Sequence, residues 1–166
     1  MGIRHKRILS LLLAVMLLCT ACGDMRADDT AEYTCTISIS CETILDNMDT
    51  CAESKKQFVP EDGVILPATE VTFSEGESAF DVLQRVCKEN KIHMESSFTP
   101  VYNSAYIEGI HNLYEFDVGK LSGWMYSVNG WFPNYGCSLY QLKDGDVVEW
   151  RYTCDLGEDL GSGMGG

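Results

Sequence analysis

The chain has 166 residues, with 12 Lys and Arg against 25 Asp and Glu, for a formal charge of −13. That length suits one domain built on a single hydrophobic core. So few cations cannot form a basic face, which excludes a nucleic-acid partner.

Arg4, Lys6 and Arg7 open the chain, an apolar run from Ile8 to Leu18 follows, and Thr20 and Ala21 precede Cys22. The run is well short of the ~20 residues that span a bilayer, and the three-part layout is that of an export signal. The segment resembles the lipobox of bacterial lipoproteins, with Cys19 where an aliphatic residue is usual. The resemblance implies a signal peptide over residues 1–21 and palmitate-type acylation of Cys22. It also implies a protein anchored by lipid to the extracytoplasmic side of the cell membrane. Plain secretion with Cys22 unmodified uses the same layout. Once Arg4, Lys6 and Arg7 are removed, nine Lys and Arg face 25 Asp and Glu, a formal −16.

Residues 22–32 are short and acidic and read as a tether. Tyr33 to Cys41 alternates without a fault, with Tyr33, Cys35, Ile37, Ile39 and Cys41 on one face, which predicts a half-buried strand. A short helix is expected around Thr43–Met48. Gly63–Leu66 and Glu70–Phe73 read as two short strands separated by Pro67. Ser78 and Asp81 make a capping-box pattern for a helix to about Asn90, whose apolar stripe is Ala79, Leu83, Val86 and Cys87, with Phe80 beside it. Ile92–Phe98 reads as extended, and Tyr106–Ile110 and Leu113–Phe116 as strands around His111-Asn112. Asn129-Gly130 is a type I′ turn signal that pairs Val128 with Trp131 and sets Trp124, Tyr126, Val128 and Trp131 on one face. Asp144-Gly145 is a second turn, leading into a last strand over Asp146–Cys154. Residues 33–154 are therefore the folded unit, and the glycine-rich residues 155–166 read as a flexible tail.

This order predicts an α+β domain with one main helix packed on a mixed sheet. It resembles a β-grasp, which implies first and last strands lying parallel at the sheet centre. The even set Cys35, Cys41, Cys51, Cys87, Cys137 and Cys154 in an exported chain predicts a disulfide-stapled core. Under the β-grasp resemblance the favoured bridge is Cys41–Cys154; the other pairings stay open. Without a Cys-x-x-Cys pair, neither zinc nor thioredoxin-like chemistry is expected.

The segments Gly123–Gly136 (GWMYSVNGWFPNYG) and Tyr140–Thr153 (YQLKDGDVVEWRYT), with Gly76–Leu83 upstream, resemble the transcobalamin-like C-terminal domain family, a bacterial family of unknown function. The resemblance covers about Val71 to Thr153. It implies a β-grasp-like domain that, in animal cobalamin carriers, closes over one face of the vitamin while a separate helical domain supplies much of the rest. The cysteines are no part of that signature.

Aromatic residues concentrate between residues 124 and 140. Trp124, Tyr126, Trp131, Phe132 and Tyr135, with Asn129 and Asn134 as polar partners, are the candidate ligand-binding set. Large core rings and cross-strand pairs are the better explanation of Trp124 and Tyr126, which sit mid-strand. The loop residues are the stronger candidates, because binding residues collect on loops. His93 and His111 belong to no nucleophile or metal motif, Asp46 and Asp49 lack the spacing of a calcium loop, and Asp144 and Asp146 fit turn geometry. The expectation is a non-enzymatic, surface-tethered module that binds a small ligand, a corrinoid among the ligands the resemblance implies. The alternative is an adaptor or adhesin that contacts envelope protein or glycan. Neither reading requires a cofactor or a metal.

Overall fold

A computed structural model describes residues 32–163. The expected signal peptide, the lipidation site Cys22 and the tether through residue 31 lie outside the described residues, as do residues 164–166.

The first strand, β1 (Tyr33–Ser40), buries Cys35, Ile37 and Ile39 and turns the intervening Thr and Ser outward, as its alternation dictates. Cys41 and a one-turn helix, α1 (Glu42–Leu45), follow. Next comes β2 (Val64–Phe73), one ten-residue strand in place of the two expected. Pro67 does not break it, because β2 is an edge strand in the order β2-β1-β7-β6 and the β1–β2 register shifts between Ile37 and Ser40. An edge or a bulge is where a residue with no N–H is tolerated in a sheet.

The main helix, α2 (Ala79–Glu89), starts on the expected reciprocal cap: Asp81 N donates to Ser78 Oγ at 3.2 Å, and Ser78 N donates to Asp81 Oδ2 at 2.8 Å. Ala79, Val82, Leu83, Val86 and Cys87 form its buried stripe. A small antiparallel sheet follows, made of β3 (Met94–Thr99), β4 (Ser104–Ile110) and β5 (Leu113–Tyr114) in that order. The β4–β5 turn places His111 and Asn112 at φ 54° and 63°.

The last two strands, β6 (Gly123–Val128) and β7 (Val147–Thr153), pair antiparallel, and β7 runs parallel to β1 with Ile37 opposite Val148 and Ile39 opposite Trp150. First and last strands thus form the centre of the sheet, the β-grasp arrangement. Ile37, Ile39, Val148 and Trp150 are at most 2% exposed, and each such side chain contributes roughly 1.5–3 kcal/mol. Trp150 Nε1 is the one buried side-chain N or O among the described residues without a hydrogen-bond partner. That costs about 1–3 kcal/mol, partly offset by the stack on Tyr126 at 5.4 Å. A smaller cluster at the far end of the sheet contains Cys41, Ile44, Cys51, Leu113, Val118 and Tyr152.

The expectation of a disulfide-stapled core is overturned. Cys35, Cys41, Cys51, Cys87, Cys137 and Cys154 are all free thiols, and the favoured Cys41–Cys154 bridge is absent. Cysteine serves here as a small apolar residue. Cys35, Cys87 and Cys137 pack in the main core and Cys41 and Cys51 in the smaller one. Burial pushes the thiols of Cys41 and Cys87 up to about 12 and those of Cys35 and Cys137 to about 11. Cys154 Sγ lies 3.8 Å from Thr43 Oγ1, and Cys51 Sγ 3.7 Å from its neighbour's carbonyl oxygen, Ala52 O.

Residues 155–163 turn back onto the end of β7. Asp159 accepts from Thr153 Oγ1 at 2.5 Å and from Cys154 N at 2.7 Å, and Leu156 N donates to Leu121 O.

Candidate functional site

The aromatic segment is a long excursion between β6 and β7. It begins at the expected turn, where Asn129 and Gly130 take φ of 52° and 77° and the Val128–Trp131 pair closes with bonds of 2.8 and 2.9 Å. The hairpin stops at that one pair, since the strand paired with β6 is β7. Beyond Trp131 the chain crosses to α2, where Ala79 N donates to Tyr140 O and Leu142 N to Glu77 O.

Asp146, only 4% exposed, closes the loop. One carboxylate oxygen accepts from Asn129 Nδ2 at 2.8 Å; the other accepts from Lys143 N at 2.9 Å and Tyr140 OH at 3.1 Å. Asn129 in turn accepts from Val147 N at 2.9 Å. Its amide is therefore engaged at both ends. Burial and the bond to Asp146 raise the Tyr140 phenol to about 12.

Two more anchors hold the middle of the loop. Tyr126 OH donates to Tyr135 O at 2.9 Å, and Ala105 N donates to Ser138 Oγ at 2.9 Å. At Gly136 an added Cβ would lie 1.6 Å from Ser104 Oγ, so only glycine allows the loop to approach β4 this closely.

The candidate residues separate into two groups. Trp124 and Tyr126 are structural. Trp124 donates from Nε1 to Leu113 O and meets Tyr152 edge-on, and Tyr126 stacks on Trp150 in the core. Trp131 and Tyr135 lie at the surface, 53% and 41% exposed, with ring centroids 6.1 Å apart. Tyr135 stacks on Tyr140 at 6.5 Å with planes 13° apart. Trp131, Tyr135 and Tyr140 thus form a continuous aromatic strip, with Phe132 half-buried and Asn134 exposed beside it. Sequence reasoning counts Tyr140 among the clustered aromatics but assigns Asp146 to turn geometry and not to the site. The Asp-Gly-Asp turn was the available signal, but it does not reveal which carboxylate points inward.

A separate open groove of about 550 Å³ lies on the outer side of α2, lined by Asp81, Gln84, Arg85, Lys88, Ile92 and Met94, with Cys87 at its base. It does not coincide with the aromatic strip. Among the described residues, no group of three His, Cys, Asp or Glu is placed to hold a metal ion. His93 Nε2 lies 3.3 Å from Glu95 Oε1, and burial lowers the His111 imidazole below its ordinary range.

Fold and loop together define a β-grasp-like α+β domain with an aromatic excursion before its last strand. Residues 76–154 match the family model DUF4430, a domain of unknown function. The fold is related at low identity to haptocorrin, solved in complex with Cbi, with a TM-score of 0.55 and 16% identity. That match covers 75% of this chain and 25% of haptocorrin, so the chain spans about a quarter of that protein's length. A candidate metal-binding protein from Ruminococcus gnavus superimposes at a TM-score of 0.40, with 17% identity over 74% of this chain and 95% of that one. No curated protein sequence matches.

Proposed function

We propose that this domain is a non-catalytic binding module, held outside the cell by a lipid on Cys22, whose small ligand seats on the strip Trp131–Tyr135–Tyr140. The exposed strip carries the reading: three rings, two of them over 40% exposed, on a loop fixed at both ends. Exposed aromatics on a rigid frame offer a planar or apolar ligand a large contact area at little ordering cost. No nucleophile–base pair accompanies them, so binding, not turnover, is the chemistry these residues support. A corrinoid is the finer form of the proposal, supported by the motif resemblance and by the fold shared with haptocorrin.

Calorimetric titration of the protein with cobinamide and cobalamin tests it, with Trp131→Ala as the control. Trp131 is exposed and makes no core contact, so the variant keeps the fold and loses ligand heat. No heat at millimolar corrinoid refutes the corrinoid form. Undiminished binding in Trp131→Ala refutes the strip as the site.

A further inference from the structure

We propose that the tip of the β3–β4 hairpin, Val101 and Tyr102, is the second wall of the site on the Trp131–Tyr135–Tyr140 strip, and that the ligand held between them presents an uncharged, apolar face. The inference rests on the strip as a binding surface and adds to it a second element and a ligand class. Among the exposed large apolar side chains of the described residues, Val101 and Tyr102 stand out furthest, at 86% and 73%. Fraying does not explain this exposure. Tyr102 N donates to Thr99 O at 3.1 Å and Asn103 N to Pro100 O at 3.2 Å, so two overlapping turns hold the tip. Pro100 fixes one φ of the turn, and Asn103 takes the left-handed conformation that asparagine tolerates. A single exposed apolar side chain needs no explanation, but adjacent ones that continue a row of exposed rings mark a contact surface.

The hairpin is rooted on the strip. Ser138 Oγ lies 3.0 Å from Ser104 Oγ and accepts from Ala105 N at 2.9 Å, and Ser104 Oγ fills the space a Cβ on Gly136 would need. Tyr135 stands one residue before this junction on the loop, and Tyr102 two residues before it on the hairpin. Two residues of extended chain span about 7 Å, so the tip side chains begin within the width of a fused ring system from the strip.

Charge defines the ligand. The chain carries 12 Lys and Arg and 25 Asp and Glu, yet residues 96–107 and 121–142, which contain both walls, carry none of them. The carboxylates packed near the loop are engaged within the fold. Asp146 accepts from Asn129, Tyr140 and Lys143, and Asp81, close to Cys137, accepts from Ser78 in the helix cap. A charged group seated here would lose hydration without gaining an ion partner. A flat apolar group gains contact with side chains on two sides.

The test titrates the full chain with phenylnaphthylamine, a neutral dye, and with anilinonaphthalene sulfonate, a similar ring frame bearing a charge. The neutral dye is expected to bind on the order of tenfold tighter. Val101→Ser and Tyr102→Ser, at exposed turn positions, leave the thermal melt unchanged and weaken the neutral dye several-fold. Leu156→Ser, an exposed apolar site beyond the opposite end of β7, leaves binding unchanged. Loss of binding in Trp131→Ala with none in Val101→Ser or Tyr102→Ser would overturn the second wall and leave the strip standing. Loss in the tip variants with none in Trp131→Ala would overturn the strip, and the two-walled site with it. Equal affinity for the sulfonate would overturn the uncharged ligand class. Absence of neutral-dye binding would overturn the proposal, while the corrinoid titration judges the strip separately.

Discussion

Asp146→Asn offers a sharp probe of the loop. The substitution keeps the shape of the side chain and removes its charge. Asp146 receives donors on both oxygens: Asn129 Nδ2 on one, Lys143 N and Tyr140 OH on the other. A carboxamide has one acceptor end and one donor end, so either orientation sets an NH₂ group against at least one N–H donor. A hydrogen bond to a charged group contributes about 1.5–3 kcal/mol, and a buried donor left without a partner costs about 1–3 kcal/mol. These overlap because they concern the same group, so the expected loss is about 3 kcal/mol. At roughly 3–5 °C per kcal/mol for a domain of this size, the melting temperature should fall by about 10 °C. Urea unfolding at neutral pH measures the loss directly, and an unchanged slope m assigns it to the native state. Trp131 quenching by acrylamide should rise in the same variant, since the loop loses the tie at both ends. A loss below about 0.5 kcal/mol would show that Asp146 does not organise the loop.

Two further outcomes follow from the thiols and from Gly136. With six free cysteines in the domain, dithiothreitol leaves the melting temperature unchanged, and mass spectrometry of the unfolded, alkylated protein finds all six modified; a mass deficit of one cross-link would contradict this. Because burial raises the folded-state thiols of Cys35, Cys41, Cys87 and Cys137 above their ordinary value of 9.0, their contribution is fully present below pH 9. It is lost as pH rises through about 11 to 12, so the urea midpoint should be flat up to pH 9 and then decline. Gly136→Ala places a methyl group against Ser104 Oγ and should cost about 1–3 kcal/mol by forcing the loop off β4. Pairing it with Ser104→Gly should recover much of the loss, and no recovery in that double variant would refute the packing argument.

The parts of the fold that were legible in the sequence are those governed by local rules. The alternation of Tyr33–Cys41, the Ser78–Asp81 cap and the Asn129-Gly130 turn each have a short-range physical cause, and each has the expected form. Where neighbours far along the chain decide, the reading failed. Pro67 marks a break only if its N–H is needed, and edge position, a property of the whole sheet, removes that need. Val82 is a different case: three residues after Ala79 and four before Val86, it joins the buried stripe of α2 on the 3–4 spacing itself. Cysteine count and export pattern pointed to bridges, but a buried cysteine looks identical in sequence whether it is paired or merely packed. The site was half legible. Composition located the aromatic cluster, yet only the fold separates Trp124 and Tyr126, held in the core, from Trp131 and Tyr135, left at the surface.

The parallel pairing of β1 with β7 sets the order of assembly. Thr34 N donates to Asp144 Oδ1 across 110 residues of chain, and the central ladder begins just beyond it. Closing a loop of that length costs about 4 kcal/mol in chain entropy before any of the ladder forms. Folding therefore waits on the last strand, and the rate should belong to the slow, non-local class. A ribosome or translocation pore that has released only the first hundred residues holds β1 without its central neighbour. The domain folds only once its C-terminal end is free.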